Sequence, residues 1–581
     1  MFCKKSVLLL IILFAFRVFN AATTTTFWQP DEYWQALEPA HSIAYGYGYL
    51  TWEWRVALRS ALHPLLFSGA YSLGARLGLP QTPDAIIWAP RILQAFIAAI
   101  GDYYFIVFSK NIFRNKYPTD TITFYSFFIT TGSAFNLFVS TRTFSNSLET
   151  SLTTIALAYW PWRPTSIKWP KFYTSLLIAA FSCVCRPTNA LIWIFLGLIL
   201  FIKTNQKVSV MFSVVTIGSI VVGINAYLDR WYYAHSQAYE LSTPESPTWV
   251  FPMLNFLRVN VLESVSSFYG TSPWHYYFVQ GLPLLLIGYL PFTLFDMLRS
   301  KSSHSTLLVV FIVGVFSLLK HKEVRFIYPI IPILHLKTLN AFLKGRGSFI
   351  FSKAVFAVII LLNIIVATFF NTVHQQGVMK VLQYLRNEPS QPSPDGSLTP
   401  LSIGFLMPCH STPWQSHIHR PELDSWDKLW FLTCEPPLGL NISERANYID
   451  VSDQFYNDPE TFISKHFPPL STLTFQKNAK DKKYAEQDLK EDDVISRQAS
   501  RGEEINEETI LSVLGEKYEN NIEARINYDY IWPSRLVFFE SLEPVIKSLL
   551  QETPYYECRR FFNSYFHEDS RRQGDVIVYC K

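Results

Sequence analysis

Asp31 and Glu32 are adjacent carboxylates set among aromatic rings, in the run Phe27-Trp28-Gln29-Pro30-Asp31-Glu32-Tyr33-Trp34-Gln35-Ala36-Leu37-Glu38. Rings with one apolar and one wet end favour the membrane–water boundary. A carboxylate held there can meet both a lipid-linked substrate and a water-soluble one, so the pair is a candidate general base at a bilayer surface. Pro30 suits the first turn of a helix, and Asp31 and Glu32 suit its positive N-terminal end. Pro39 is predicted to stop that helix near Glu38. At helical spacing Asp31, Gln35 and Glu38 share a face turned to water, with Tyr33, Ala36, Leu37 and Ala40 on the buried face. Capping the helix is the alternative role for the two acids, and the residues alone leave both open.

The residues that follow extend the site. His41, the turn Tyr45-Gly46-Tyr47-Gly48-Tyr49 and the run Thr51-Trp52-Glu53-Trp54 offer glycines for close backbone approach and aromatic planes that bracket a sugar. Trp52, Glu53 and Trp54 are therefore candidate sugar or acceptor contacts, with interfacial anchoring as the competing role for the rings. Arg59 and His63 lie one helical turn apart and can face one anion. Far along the chain, His321-Lys322-Glu323-Val324-Arg325 places three cations at the end of one apolar run and the start of another. Ionisable groups there are costly and are functional or paired. Lys322 and Arg325 suit a lipid phosphate, with Glu323 orienting one of them. Trp274 and His275 lie in a further aromatic loop and are candidate acceptor contacts. No Asp-x-Asp occurs in the apolar part and no His or Cys spacing suggests zinc, so no catalytic metal and no cofactor are expected.

These groups must be positioned by membrane-spanning elements. The 581 residues are 49% hydrophobic and 17% charged, against roughly 25% charged in an ordinary soluble protein. Apolar runs fall near 6–22, 86–108, 121–140, 147–162, 172–188, 189–202, 208–228, 280–297, 304–320, 326–343 and 349–370, predicting about eleven transmembrane helices. Every second connection is basic: Lys110, Arg114 and Lys116; Arg163, Lys168 and Lys171; Lys203 and Lys207; Arg299 and Lys301; Lys344, Arg346 and Lys353. With Lys4 and Lys5 ahead of the first run, the positive-inside rule puts the N-terminus in the cytoplasm. The candidate site residues and the tail then share the lumenal side. The first run also has the outline of a signal peptide ending at Asn20-Ala21-Ala22; a retained span is preferred, and cleavage would leave Asp31 on the same side. A net charge of +4 without a long basic tract gives no reason to expect nucleic acid.

The predicted organisation is a multi-span domain over 1–371, with its first lumenal loop at 23–85, and a soluble domain over 372–581. Within the latter, 477–509 is charge-dense and predicted disordered, and the strand-like Asp575-Val576-Ile577-Val578-Tyr579 suggests a small mixed α/β fold. Cys409, Cys434, Cys558 and Cys580 suit an oxidising compartment. Proximity favours Cys409–Cys434 and Cys558–Cys580, although sequence does not fix the connectivity. Asn441-Ile442-Ser443 is a glycosylation sequon.

A lipid-linked sugar phosphate carries its own leaving group. Its transfer needs one base for the acceptor hydroxyl and cations for the departing phosphate, with no general acid. Asp31 is favoured as the base and Glu32 is its close rival. His321, Lys322 and Arg325, with Arg59 or His63, are the expected phosphate contacts.

Pro30-Asp31-Glu32-Tyr33-Trp34-Gln35, Thr51-Trp52-Glu53-Trp54, Arg59-Ser60 with His63-Pro64, Arg142-Thr143-Phe144-Ser145-Asn146, Arg186-Pro187-Thr188-Asn189, Pro273-Trp274-His275 and His321-Lys322-Glu323 with Arg325-Phe326 together resemble glycosyltransferase family 22. The resemblance covers about residues 20–340 and keeps the family's motif order. It implies a GT-C fold, a multi-pass endoplasmic reticulum membrane protein, and dolichyl-phosphate mannose as donor. Phe405-Leu406-Met407-Pro408-Cys409-His410, Phe431-Leu432-Thr433-Cys434 and Ser570-Arg571-Arg572-Gln573-Gly574 resemble the branch that acts on the glycosylphosphatidylinositol (GPI) anchor precursor. That likeness implies lumenal, inverting α-1,2 transfer of the third mannose onto the second. It also supports the acidic pair as catalytic without separating Asp31 from Glu32. The competing readings are a sibling enzyme adding the fourth anchor mannose or an N-glycan precursor mannose, a lipid transporter, and a non-catalytic scaffold.

Overall fold

The computed structural model describes residues 4–236, 239, 243–263, 265–301, 303–345, 347–389, 391–392, 398–399, 401–438, 440, 444–445, 447–473 and 528–581. Asn441 and the charged segment 477–509 lie outside the described residues. The chain divides into two compact units, residues 1–375 with 412–419, and residues 376–411 with 420–581.

The first unit is helical. Among the described residues, six helices are long and apolar enough to cross a membrane: Lys4–Thr23, Pro83–Phe113, Lys207–His235, Tyr277–Arg299, Val324–Lys344 and Lys353–Arg386. Trp169–Cys185, Pro187–Lys203 and His304–Leu318 are shorter apolar helices. The runs expected at 121–140 and 147–162 form Thr119–Thr131 with Ala134–Val139, and Ser145–Tyr159. Start signals are local. Thr82, Ser303 and Ser352 each accept the backbone N–H three residues on, and Pro83 occupies the first position of its helix. The first helix is built into this unit, because Arg17 reaches across it. Its Nε and Nη2 donate to the carboxylate of Asp102 at 2.6 and 3.0 Å, and Thr130 donates to the same carboxylate at 2.6 Å.

The second unit carries a mixed five-stranded sheet, in the order Leu429–Phe431, Ile403–Leu406, Arg535–Phe539, Val576–Cys580, Tyr556–Phe561, and the short antiparallel pair β1 (Gln391–Pro392) and β2 (Leu398–Thr399). The strands are β3 (Ile403–Leu406), β4 (Leu429–Phe431), β5 (Arg535–Phe539), β6 (Tyr556–Phe561) and β7 (Val576–Cys580). β3 runs parallel to β4 and β5, with Ile403 opposite Leu429 and Arg535. β7 runs antiparallel to β5 and β6, with Val578 opposite Val537 and Arg559. The fully buried pattern of β3, β4, β5 and β7 reflects layers on both faces. Leu406, Trp430, Phe455, Trp532, Phe538 and Ile577 share one core there. Cys409–Cys434 and Cys558–Cys580 are disulfides.

Candidate active site

The first loop departs from the sequence expectation in a way that matters. The chain turns at Pro30, whose carbonyl accepts Tyr33 and Trp34 N–H at 2.9 Å each. Tyr33–Leu37 then forms a π-turn, and Glu38–Tyr45 continues as an α-helix until Gly46, at φ 82°, ends it. Pro39 therefore opens the second helix rather than closing the first, because a residue without an N–H fits an initial turn. The expectation that Glu38 faces water is also overturned. Glu38 is fully buried, and its carboxylate accepts Trp414 N at 2.9 Å, Ser416 N at 3.1 Å and Ser416 Oγ at 2.6 Å. Burial pushes its carboxyl up to about 7 despite those donors. The segment Thr412–His419 is thereby strapped to the first loop. Trp34 Nε1 donates to Thr412 O at 3.0 Å, and His41 and His419 share a hydrogen bond of 2.9 Å.

The two neighbouring acids differ in environment. Glu32 is 5% exposed and pairs with Arg142 Nη1 at 3.0 Å. Arg142 also donates to Thr26 O at 2.7 Å, Thr26 Oγ1 at 2.8 Å and Phe138 O at 2.9 Å. Asp31 retains 21% side-chain exposure and accepts a hydrogen bond from Arg325 Nη1. Arg325 holds Glu323 with its other nitrogens, Nε to Oε2 at 2.6 Å and Nη2 to Oε1 at 2.7 Å. Arg325 thus presents a bidentate face to Glu323 and a single N–H to Asp31.

The remaining predicted phosphate ligands separate into two groups. His321 has Gly270 O at 2.9 Å from Nδ1 and Glu323 Oε1 at 3.1 Å from Nε2. Two acceptors favour the imidazolium, and although burial opposes that cation, Glu323 outweighs it and raises the titration of His321. Burial likewise opposes ionisation of Glu323, but Arg325 and His321 outweigh it and hold the carboxyl well below its usual range. Lys322 is buried and donates to Ser272 O at 2.7 Å. These cations are already engaged by protein acceptors. Arg59 and His63 are not: Arg59 Nε and His63 Nε2 are buried without a hydrogen-bond partner. Tyr233 donates to Arg59 O at 2.6 Å, and Asp229 accepts Ala61 N at 2.8 Å and Ser60 Oγ at 3.0 Å, so the turn that aims Arg59 is fixed from a neighbouring helix.

The predicted sugar contacts also divide. Glu53 is buried beside Gln35, whose Nε2 donates to Oε1 at 3.1 Å, while Oε2 has no partner. Burial raises its carboxyl, with Arg59 opposing that shift and Asp31 adding to it, so Glu53 belongs to the same electrostatic neighbourhood. Trp52 is buried, and Trp54 is packed in a core with Tyr232 and Tyr233. Trp274 is 69% exposed and lies edge-on to His275, which is also exposed. The arrangement brings together Asp31, Glu53, Arg59, His63 and Arg325; it gives Trp54 a packing role and leaves Trp274 and His275 at the surface. Sequence reasoning had not placed Arg142 opposite Glu32, or Glu38 as an anchor. The Arg142 position had a signal, an arginine at the end of an apolar run on the side without basic clusters.

Residues 8–419 match the Alg9-like mannosyltransferase family. The chain is 41% identical over 577 residues to GPI mannosyltransferase 3 of Yarrowia lipolytica, covering 98% of this chain and 96% of that one. It is 38% identical over 576 residues to GPI mannosyltransferase 3 of Candida albicans, covering 98% and 97%. Among solved structures it is similar in fold to ArnT from Cupriavidus metallidurans bound to undecaprenyl phosphate, with a TM-score of 0.51 at 10% identity over 98% of this chain and 97% of that one. That likeness identifies a GT-C type polytopic helical fold. The family match runs unbroken from the first helix through the Asp31 loop and the Arg325 cluster to the end of the strap at His419. By that match, and by relatives similar over nearly their whole length, the chain belongs to the Alg9-like mannosyltransferase family.

Proposed function

We propose that this mannosyltransferase adds the third mannose of the GPI anchor precursor, from dolichyl-phosphate mannose, in α-1,2 linkage at the lumenal face of the endoplasmic reticulum membrane. The observation that carries the chemistry is the contrast between Asp31, accessible and oriented by Arg325, and Glu32, buried against Arg142. The naming of curated relatives as GPI mannosyltransferase 3 supports the acceptor. Asp31 takes the proton of the acceptor's hydroxyl as that oxygen bonds the anomeric carbon. The bond from that carbon to the phosphate oxygen breaks, and the electron pair leaves with dolichyl phosphate. Attack opposite the leaving group inverts the centre, and no proton is needed on the phosphate. Arg325 aims the Asp31 carboxylate through its Nη1 hydrogen bond, and its second anchor on Glu323 fixes the guanidinium.

The test is mannose transfer by membranes containing the wild type or Asp31→Asn, expressed equally, with dolichyl-phosphate mannose and a two-mannose anchor precursor. A three-mannose product made by the wild type alone is the expected result. Transfer to a different mannosylated lipid would keep the family and replace the acceptor. Full activity of the Asp31→Asn protein would remove the base.

A further inference from the structure

Three nitrogens in this site are buried and donate to nothing among the described residues: Arg59 Nε, His63 Nε2 and Arg186 Nε. They come from separate parts of the sequence. Arg59 and His63 flank the start of Leu62–Arg76, and Arg186 caps Trp169–Cys185. Burial first, then Arg186 and Arg59, depress the titration of His63 to about 3, so both arginines lie within electrostatic reach of its ring. Each guanidinium is held in place. Arg59 lies over the Phe256 ring at 5.8 Å, and Arg186 lies over Phe326 at 6.0 Å and donates from Nη1 to Ser145 Oγ at 3.0 Å. Arg186 is ion-paired with Glu149, Oε2 lying 3.3 Å from Nε in a geometry that forms no hydrogen bond, and Asp31 also lies within its electrostatic reach. Glu149 is occupied by Asn189 at 2.9 Å and by Asn146 at 3.3 Å.

Unpaired buried donors carry a standing desolvation cost, so a cluster of them beside two cations is chemically an anion site awaiting its ligand. The contrast with the 321–325 cluster is direct. Arg325 faces two carboxylates, His321 a carboxylate and a carbonyl, and Lys322 a carbonyl. A phosphate arriving there would have to displace anions. At Arg59 and His63 it would complete bonds that are missing, and at Arg186, whose Nε is ion-paired with Glu149 at 3.3 Å without a hydrogen bond, it would supply the acceptor that Nε lacks.

We propose that Arg186, with Arg59 and His63, forms the seat of the lipid-linked phosphate, and that the 321–325 cluster instead orients Asp31. The proposal rests on the donor reading above and names the residues that would serve it. It places a new phosphate ligand, Arg186, in the site. It also predicts that His63, neutral in the free protein, becomes the third donor through the tautomer carrying its proton on Nε2.

The experiment is equilibrium binding of radiolabelled dolichyl phosphate to the full-length protein in nanodiscs, with inorganic phosphate as competitor. Wild type is compared with Arg186→Gln, Arg186→Lys, Arg59→Gln and Lys322→Gln. Each of Arg186→Gln and Arg59→Gln is expected to weaken binding by about tenfold or more, as loss of a charge-assisted hydrogen bond requires. Arg186→Lys keeps the charge but loses the fork and should fall between. Lys322→Gln should bind within about twofold of wild type, since its ammonium is spent on Ser272. Arg59 is only half buried, so Arg59→Gln tests the site even if Arg186→Gln does not fold. Wild-type affinity in both glutamine variants, or a loss confined to Lys322→Gln, overturns the proposal. Wild-type binding of inorganic phosphate that depends on Arg186, without binding of dolichyl phosphate, would keep the anion site and remove the donor reading. Binding of neither overturns both.

Discussion

Asp31 accepts a hydrogen bond from Nη1 of Arg325, a residue 294 positions further along the chain. The same guanidinium grips Glu323 at 2.6 and 2.7 Å, so it is fixed before it meets Asp31. Glu32, one residue away, belongs to a different network, closed by Arg142 and the Thr26 backbone. Two acids that are indistinguishable in sequence are thus held in different networks by the helices around them.

Asp31→Asn should therefore abolish transfer and leave the fold intact. A lost general base costs about a hundredfold to ten-thousandfold in rate, while a partly exposed amide can still accept from Arg325. Glu32→Gln should act through stability, because it leaves Arg142 buried without its counter-charge, at a cost of about 3–5 kcal/mol. Transfer assays paired with thermal unfolding of the purified proteins separate the two. A stable, inactive Glu32→Gln protein would reverse the assignment.

The first helix should prove inseparable from the helices it packs against. Arg17 and Asp102 are 0% and 5% exposed at their side chains and meet through two hydrogen bonds. Arg17→Met alone strands Asp102 and is expected to cost about 3–5 kcal/mol, whereas Arg17→Met with Asp102→Leu should cost markedly less. Unfolding midpoints of the single and double variants test the coupling, and strictly additive losses would refute it. An N-terminal epitope tag should also remain on the folded chain.

Much of this arrangement was legible in the sequence because it rests on local chemistry. Pro30-Asp31-Glu32 announced a helix start, and His321 to Arg325 announced charges too costly to lack partners. The cysteine pairs followed from proximity, and the strand near residue 576 from its continuous β-branched run Val576-Ile577-Val578. Partner choice was not legible. Nothing local tells Arg325 to take Asp31 rather than a phosphate, or Glu38 to turn from water toward Ser416, since both depend on contacts hundreds of residues apart. The helix end at Pro39 was misplaced because the π-turn at Tyr33–Leu37 is set by tertiary packing, which overrides local stop signals. The span count blurred where helices such as Ser145–Tyr159 carry polar, buried faces that lower their hydropathy.

Glu38 should give the protein a pH-dependent stability. Its carboxyl is raised from 4.5 to about 7 by burial, so the folded state binds the proton more tightly than the unfolded state does. The resulting stabilisation is fully present below pH about 4.5 and is lost as pH rises through about 7, a span on the order of 3 kcal/mol. Glu38→Gln has no such proton to bind. The wild-type unfolding midpoint should thus decline relative to the variant between those limits and run parallel to it above them. Parallel curves throughout would show that the anchor does not titrate.

Gly404 on β3 leaves no room for a side chain. A Cβ built there would lie 2.1 Å from Cζ2 of Trp430, its cross-strand neighbour on β4. Trp430 is 1% exposed, wedged against Phe467 and Tyr530, and its Nε1 donates to Ile531 O at 3.1 Å, so the ring cannot swing aside without breaking that bond. Gly404→Ala is therefore expected to destabilise the second unit by about 1–3 kcal/mol through overpacking. Trp430→Leu in the same chain should recover part of the loss by removing the ring the methyl meets. Protease resistance of the 376–581 region, followed in wild type, single and double variants, reads the effect. An alanine variant as resistant as wild type would mean that the strands separate at little cost, and that the close β3–β4 contact does not hold the sheet.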